Sequence, residues 1–343
     1  MKLIRFTTAD SPNPCFGVVV RDQAVPFAVL QAKAGKSSPH LADSRAYLAN
    51  LPDSEREAKE ALAWGEQHLS ELAEGERFPL NAVRLLEPVD VVALFDFGLT
   101  PRHLKNSCDT CMKYEKGDPQ IASLLQAFAN TVLAPKPKAV PGRPEPLPFY
   151  KSNMNSIVGD AETIPWPAYT SRLDIEPELA VVYGNEKQPV AGFCIFNDVS
   201  ARDVQAMEFI GGFCLTKDMA KGNQLGPYLV TLDEIGDPYK LKVTVVVNGQ
   251  VKYQGSTSEI SHKAEDVFAW LGFIAPLKPG SVMGFGTIPD CTGLDNDDFL
   301  DPGAEIEITI ERLGTLHCRF AEPKGKLLPS RWPLREPLKK YHG

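Results

Sequence analysis

A chain of 343 residues with 36 basic and 44 acidic side chains, a formal charge of −8 and 43% hydrophobic residues has room for roughly two domains and can bury a sizeable core. This excludes a single small module and a mainly disordered chain, and the net negative charge argues against nucleic acid as a partner. No stretch approaches the ~18 apolar residues of a membrane span, the opening residues lack a long apolar run after their basic residues, and seven scattered cysteines, an odd number, fit reduced thiols, so no membrane partner and a cytoplasmic location are expected.

Residues 1–88 read as a self-contained opening. Lys2 to Thr7 and Cys15 to Val20 have strand character, and a helix is predicted from about Asp53 to Glu74, with Leu62, Leu69 and Leu72 on one side. After Pro88, the apolar run over 89–95 ends at Asp96. Thr100 then suits a helix N-cap and Pro101 the first helical position, so a strand is expected to hand over to a helix. Inside that helix Cys108 and Cys111 form a lone CxxC. With no second pair or nearby histidine to complete a zinc tetrahedron, they read as helix thiols. The proline-crowded segment from Ala134 to Leu147 predicts an extended surface loop, either a lid or a spacer.

Beyond the loop, strand signals dominate. They cover 179–183, 190–196, 241–247 and 250–254, the last two joined by the hairpin signal Asn248-Gly249, and finally 305–311 after the glycine-rich 284–289. The 190–196 run is apolar without alternation, as in a strand buried on both faces, and delivers Asn197 and Asp198 where it stops. A helix is predicted next, with Ser200 and Asp203 spaced as a capping box and Arg202 and Gln205 in its first turns.

Glu176 and Glu178 lie two residues apart before an apolar strand and so share a face. Like charges side by side need a cation or solvent. Taken singly, the glutamates read as a solvated strand edge and Asp198 as a turn residue. Asp96 repeats the pattern of an acid closing an apolar strand, so Asp96, Glu176, Glu178 and Asp198 can converge from three strand ends. Such an all-carboxylate cage suits Mg²⁺, Mn²⁺ or Ca²⁺ and not zinc.

In order, AspPheGlyLeuThrProArgHis (96–103), GluProGlu (176–178), AsnAspValSerAlaArgAspValGln (197–205), Lys217, GlyPro (226–227) and GlyThrIlePro (286–289) resemble the fumarylacetoacetate hydrolase (fumarylacetoacetase) superfamily, over about residues 89–320. The resemblance implies an α+β, β-rich fold. Residues 89–343 would form the catalytic mixed β-core and 1–88 a small N-terminal domain, in a homodimer. It makes Glu176, Glu178 and Asp198 metal ligands, Asp96 a further one, and a divalent cation, Mg²⁺ first, the cofactor. His103, seven residues after Asp96, falls on the base that activates water, with Glu307 as the acid orienting it. Lys217 falls near the metal, and Tyr150, Arg202, Gln205 and Thr287 line the substrate pocket. Two departures bear on the exact substrate, and on fumarylacetoacetate above all: an arginine following the histidine gives way to the Met112-Lys113 region, and a pocket tyrosine appears as Phe209.

The chemistry agrees with that family. A cation chelated by a β-dicarbonyl acts as a Lewis acid and stabilises the enolate that leaves. In the first turn of a predicted helix, His103 meets the positive end of the helix dipole, which disfavours imidazolium and keeps the ring a base near neutral pH. Lys217 and Arg202 either hold a substrate carboxylate or oxyanion, or compensate the charge of the acids. Arg102, Lys105 and Lys113 either attract an anionic substrate or form a solvated helix face. The expected activity is metal-dependent hydrolysis of a carbon–carbon bond in an acylpyruvate or other β-diketone, a small-molecule substrate of aromatic or related carbon catabolism. The alternatives are a decarboxylase, hydratase or isomerase of 2-oxo acids, or a binding protein that keeps the cage without turnover.

Overall fold

The computed structural model describes residues 1–133, 141–209 and 212–342, so the proline-rich stretch lies partly outside the described residues. The architecture is mixed α+β, as expected. In chain order its main elements are β1 (Lys2–Thr8), β2 (Ser11–Val20), β3 (Gln23–Pro26), α1 (Asp53–His68), β4 (Ala93–Phe97), α2 (Pro101–Glu115), α3 (Pro119–Leu133) and β5 (Phe149–Lys151). There follow β6 (Pro177–Tyr183), β7 (Val190–Asp198), α4 (Arg202–Glu208), β8 (Asn223–Val230), β9 (Lys242–Val247), β10 (Gln250–Ser256), α5 (Ala264–Ile274), β11 (Ser281–Thr287), α6 (Gly293–Asn296), β12 (Glu305–Ile310) and β13 (Gly314–Phe320).

A twelve-stranded sheet runs in the order β3-β2-β1-β8-β7-β6-β11-β4-β5, and a five-stranded sheet contains β10-β9-β12-β13. The opening segment extends the large sheet: β1 pairs with β8 through Lys2↔Val230, and Leu3, Val18 and Tyr47 share one apolar cluster with Ala180, Cys194 and Phe196. On the opposite face Leu179, Val181, Phe193 and Ile195 pack with Val243, Ile306 and Leu316 of the second sheet. Three layers therefore cover both faces of β6 and β7, which explains their unbroken apolar runs. The neighbours of β7 are antiparallel, so the burial comes from layering and not from a parallel sheet.

Local expectations fare unevenly. Asn248 (φ 51°) and Gly249 (φ 77°) make the expected hairpin between β9 and β10. Thr100 is the N-cap of α2 with Pro101 first in the helix, but its hydroxyl makes no capping bond. Helix α1 stops at His68, and a 3₁₀ turn over Leu69–Glu71 follows. That tighter turn aligns residues three apart and seats Leu69 and Leu72 together in the core. The expected capping box is not formed. Ala201 is the N-cap of α4, Ser200 bonds back to the Asp198 carbonyl, and Asp203 accepts from Thr170, Ser171 and Ser330.

The C-terminal tail closes over the back of these helices. Trp332 is buried, stacks on Tyr114 at 4.4 Å and donates its indole N–H to Glu115 at 2.7 Å. Among the described residues no helix is long and apolar enough to cross a membrane.

Candidate active site

Adjacent strands of the large sheet bring the acids together. Asp198 ends β7, Glu178 lies near the start of β6, and Asp96 sits on β4 beyond β11. Glu178 and Asp96 are thus separated by a whole strand, and the residue between them is Gly284, paired with Asp96 on one side and with Ala180 on the other. A Cβ at Gly284 would lie 2.5 Å from Glu178 Oε2 and 2.9 Å from Asp96 Oδ1, so its missing side chain is what lets the two carboxylates meet over the strand. Oxygens of Asp96, Glu178 and Asp198 come within 4.8 Å of one another, all buried.

Three buried carboxylates at this spacing need positive charge. Burial, then the neighbouring acids, push Glu178 and Asp198 well above the usual carboxylate range, and burial raises Asp96 as well. Asp96 Oδ1 and Asp198 Oδ1 are buried with no hydrogen-bond donor. An oxygen-only donor set with two orphaned oxygens and a glycine cradle fits a hard divalent cation.

Glu176 is turned differently. Arg202 Nη1 donates to its Oε1 at 2.5 Å, and the Lys217 ammonium bonds its other oxygen. Burial opposes its charge, yet Arg202 and Lys217 together hold it well below the usual range. The structure therefore closes three of the four predicted ligands into a cluster and leaves Glu176 among cations. Lys217 bridges the two groups, its Nζ 2.6 Å from Asp198 Oδ2.

His103, on the first turn of α2, is buried beside this cluster with Nε2 3.5 Å from Glu176 Oε1. Its Nδ1 lies 2.7 Å from Asp295 Oδ1, an acid on α6 whose side chain is fully buried. This corrects the expectation for Glu307, which sits on an exposed position of β12, paired across the second sheet with Val246 and His317. The charge expectation also changes. Burial lowers the His103 pKa, but Asp295 and Glu176 outweigh it and raise it to about 9, so local carboxylates overrule the helix dipole. Positive charge among the neighbouring acids would lower it again.

These groups open into a cavity of about 250 Å³. Tyr150, Gln205, Thr287 and Lys217 line it; the Tyr150 hydroxyl donates to Asp198 Oδ2 at 2.5 Å, and Thr287 Oγ1 is 3.4 Å from Glu178 Oε1. Arg202 is the exception among the predicted pocket residues. It is fully buried behind Glu176, with Nε donating to Asp174 at 2.9 Å, so it compensates the acids and does not reach the cavity. A larger open hollow of about 1120 Å³ beside Tyr183 and Phe268 holds none of the converging acids, and the site is therefore the smaller cavity.

Two residues escaped the sequence reading. Asp174 accepts from Arg202 and from the Gly293 and Leu294 amides at the start of α6, tying the acid strand to the helix that carries Asp295. The spacing Asp174-x-Glu176-x-Glu178 extends the two-residue rule by one step and contains that signal. Asp295 lies in an acid-dense loop where nothing local separates it from its neighbours. Arg102, Lys105 and Lys113 are spent on surface pairs with Asp290 and Glu259, Asp109 and Asp297. Cys108 and Cys111 are buried, and burial pushes their thiols up to about 11 and about 12.

A layered β core with a strand-end cage of acids and a histidine–aspartate pair is the arrangement of an enzyme site. Residues 121–321 match the fumarylacetoacetate (FAA) hydrolase C-terminal family model, more than half of the chain, which belongs to that family. The human protein named oxaloacetate tautomerase FAHD2A, mitochondrial, is 36% identical over 191 residues, covering 53% of this chain and 60% of that one. The matches span 60–62% of the first curated relatives' own length. Among solved structures, the maleylpyruvate hydrolase of Sphingobium sp. SYK-6, in complex with manganese (II) ion and pyruvate, is similar with a TM-score of 0.60 at 19% identity, over 94% of this chain and 100% of that one. A 2-hydroxyhepta-2,4-diene-1,7-dioate isomerase from Mycobacterium marinum is similar with a TM-score of 0.60 at 22% identity, over 95% and 100%. At these identities the two structures establish the shared fold.

Proposed function

We propose that this protein is a divalent-metal-dependent hydrolase that cleaves a carbon–carbon bond of an acylpyruvate or related β-diketone. The observation that supports it most is the Asp295-backed His103 facing the same cavity as Asp96 and Glu178 of the buried carboxylate cluster, because hydrolysis needs a positioned base for water as well as a cation site. Asp96, Glu178 and Asp198 would hold the ion, with Glu176 alongside; Mg²⁺ is the first expectation and Mn²⁺ the second. When bound, the ion supplies Lewis-acid polarisation of a chelated dicarbonyl and stabilises the charge that develops on its oxygens.

The chain's own groups supply the rest. His103 Nε2 takes one proton from water, whose oxygen adds to the distal ketone carbon, while Asp295 keeps Nδ1–H in place and stabilises the imidazolium. The bond between that carbon and the methylene then breaks, its electron pair passing to the methylene. His103 returns the proton there, giving a carboxylic acid and pyruvate. Lys217, which lines the cavity while paired with Glu176 and Asp198, would add positive charge on the side of the substrate carboxylate. A homodimer, a role in aromatic or related carbon catabolism, and residues 89–343 as the catalytic part beside a smaller 1–88 belong to the same proposal.

A second reading is a 2-oxo acid tautomerase or isomerase. It is favoured by the name of the human relative and needs only the proton relay, without attack by water. Following the enol absorbance of an acylpyruvate panel with Mn²⁺ or with EDTA, and identifying products by mass, tests both. Metal-dependent formation of two acids supports hydrolysis. Exchange or isomerisation without a change of mass selects the second reading.

A further inference from the structure

The cavity has two unlike ends. One carries the acids, His103 and Lys217. The other is walled by Phe128 of α3, Phe209 at the end of α4, and Phe213, with Leu104 and Pro148 beside them. Their rings form a continuous series. Phe128 and Phe209 have centroids 4.6 Å apart, Phe209 and Phe213 meet edge-on at 5.5 Å, and Phe213 meets Tyr150 edge-on at 5.8 Å. Tyr150 in turn bonds Asp198, so aromatic rings lead from the outer helix down to the cage. All three phenylalanines are half-buried, which leaves ring surface for a ligand to cover.

The position of Phe213 carries a cost. Its backbone is left-handed, φ 43° and ψ 31°, a region that bulky side chains rarely occupy, and such strain persists where the surroundings over-determine it. Here it sets the ring against both Phe209 and Tyr150. Among the described residues that line the cavity the cationic side chains are Lys217 and His103, and both are already bonded to carboxylates. Against those rings a substrate ending in a carboxylate would lose its water and meet no free cation among the described lining residues, an unfavourable transfer. An aryl group would instead gain burial and edge-to-face contacts.

We propose that the distal end of this cavity selects substrates with a flat apolar tail, an aryl ketone above all, over those ending in a second carboxylate. The inference rests on the reading of the acidic end as the seat of the dicarbonyl head. Benzoylpyruvate, acetylpyruvate and succinylpyruvate share that head and differ only in the tail. With Mn²⁺ present, kcat/KM for the benzoyl compound is expected to exceed that for the acetyl compound about 10- to 100-fold, with the succinyl compound lowest. Phe128→Ala should lower the benzoyl-to-acetyl ratio at least about fivefold, and Phe209→Arg should reverse the order of benzoyl and succinyl compounds; circular dichroism establishes that each variant is folded.

Calorimetric affinities for the same three compounds separate this inference from the hydrolase reading. Cleavage with the succinyl compound preferred, or with equal ratios, overturns the tail selectivity and leaves the hydrolase reading standing. Tighter, Phe128-dependent binding of the benzoyl compound without cleavage sustains the selectivity and overturns hydrolysis. Equal affinities, or no binding, without cleavage overturn both.

Discussion

Replacing Glu178 by glutamine is expected to stabilise the cation-free protein while weakening its response to cation. Asp96, Glu178 and Asp198 approach within 4.8 Å, and two unit charges at that separation repel by about 3.5 kcal/mol at an effective dielectric near 20. Lys217 beside Asp198 offsets part of this, leaving about 1–3 kcal/mol to recover. Glutamine keeps an oxygen for the Gly286 N–H, which lies 2.9 Å from Glu178 Oε2, so the charge is removed without orphaning that donor.

The sign follows from titration. Burial and the neighbouring acids raise Glu178 in the folded chain. Below the ordinary glutamate range the group is protonated whether folded or not, so parent and variant differ little. As pH rises from there toward the folded value, the unfolded parent ionises more readily and the parent loses stability that the variant keeps. At neutral pH in EDTA the variant should melt roughly 1–4 °C higher. Mn²⁺ at about 1,000 times its Kd should stabilise the parent by about 4.1 kcal/mol and the variant far less, so the ranking inverts. Scanning calorimetry in EDTA and in MnCl₂ measures both effects. A variant less stable than the parent in EDTA at neutral pH would refute the account of mutually repelling cation ligands.

Three further outcomes are expected. Asp295→Asn should lower the His103 pKa from about 9, read by histidine NMR, and reduce turnover about 10²- to 10⁴-fold; unchanged turnover would remove His103 as the base. Gly284→Ala places a methyl 2.5 Å from Glu178 Oε2 and should abolish the Mn²⁺-induced thermal shift at a stability cost of about 1–3 kcal/mol; a retained shift would show that the acids do not meet over β11. Trp332→Ala removes a buried ring and the donor to Glu115, and urea unfolding should record a loss of about 3–5 kcal/mol. A loss below about 1 kcal/mol would mean that the tail does not brace α2.

The site was largely legible where chemistry and strand ends coincide. Apolar runs that stop at an acid, as at Asp96 and Asp198, announce both the strand and the residue it delivers, and the two-residue spacing of Glu176 and Glu178 puts them on one face. Partner choice was less legible. Arg202 looked like a substrate ligand because a cation near acids suits either role, and only its enclosure by Asp174 and Glu176 decides between them. Glu307 and Asp295 are both acids downstream of Thr287. Which one reaches His103 depends on α6 lying against α2, a contact between residues 192 apart in sequence.

The sequence by itself thus determined the β-rich class, the hairpin at Asn248-Gly249, the strand-to-helix handover at Thr100-Pro101 and the acids that end strands, because each is a matter of local backbone preference and hydrophobic period. The tertiary structure alone decided that the opening strands extend the large sheet, that Gly284 is the gap through which Asp96 and Glu178 meet, and that Asp295 and Glu176, rather than the helix dipole, set the direction in which the His103 pKa moves. These depend on strand order and on charges brought together from distant segments, and Coulomb and steric terms at a few ångströms outweigh any preference written into a single segment.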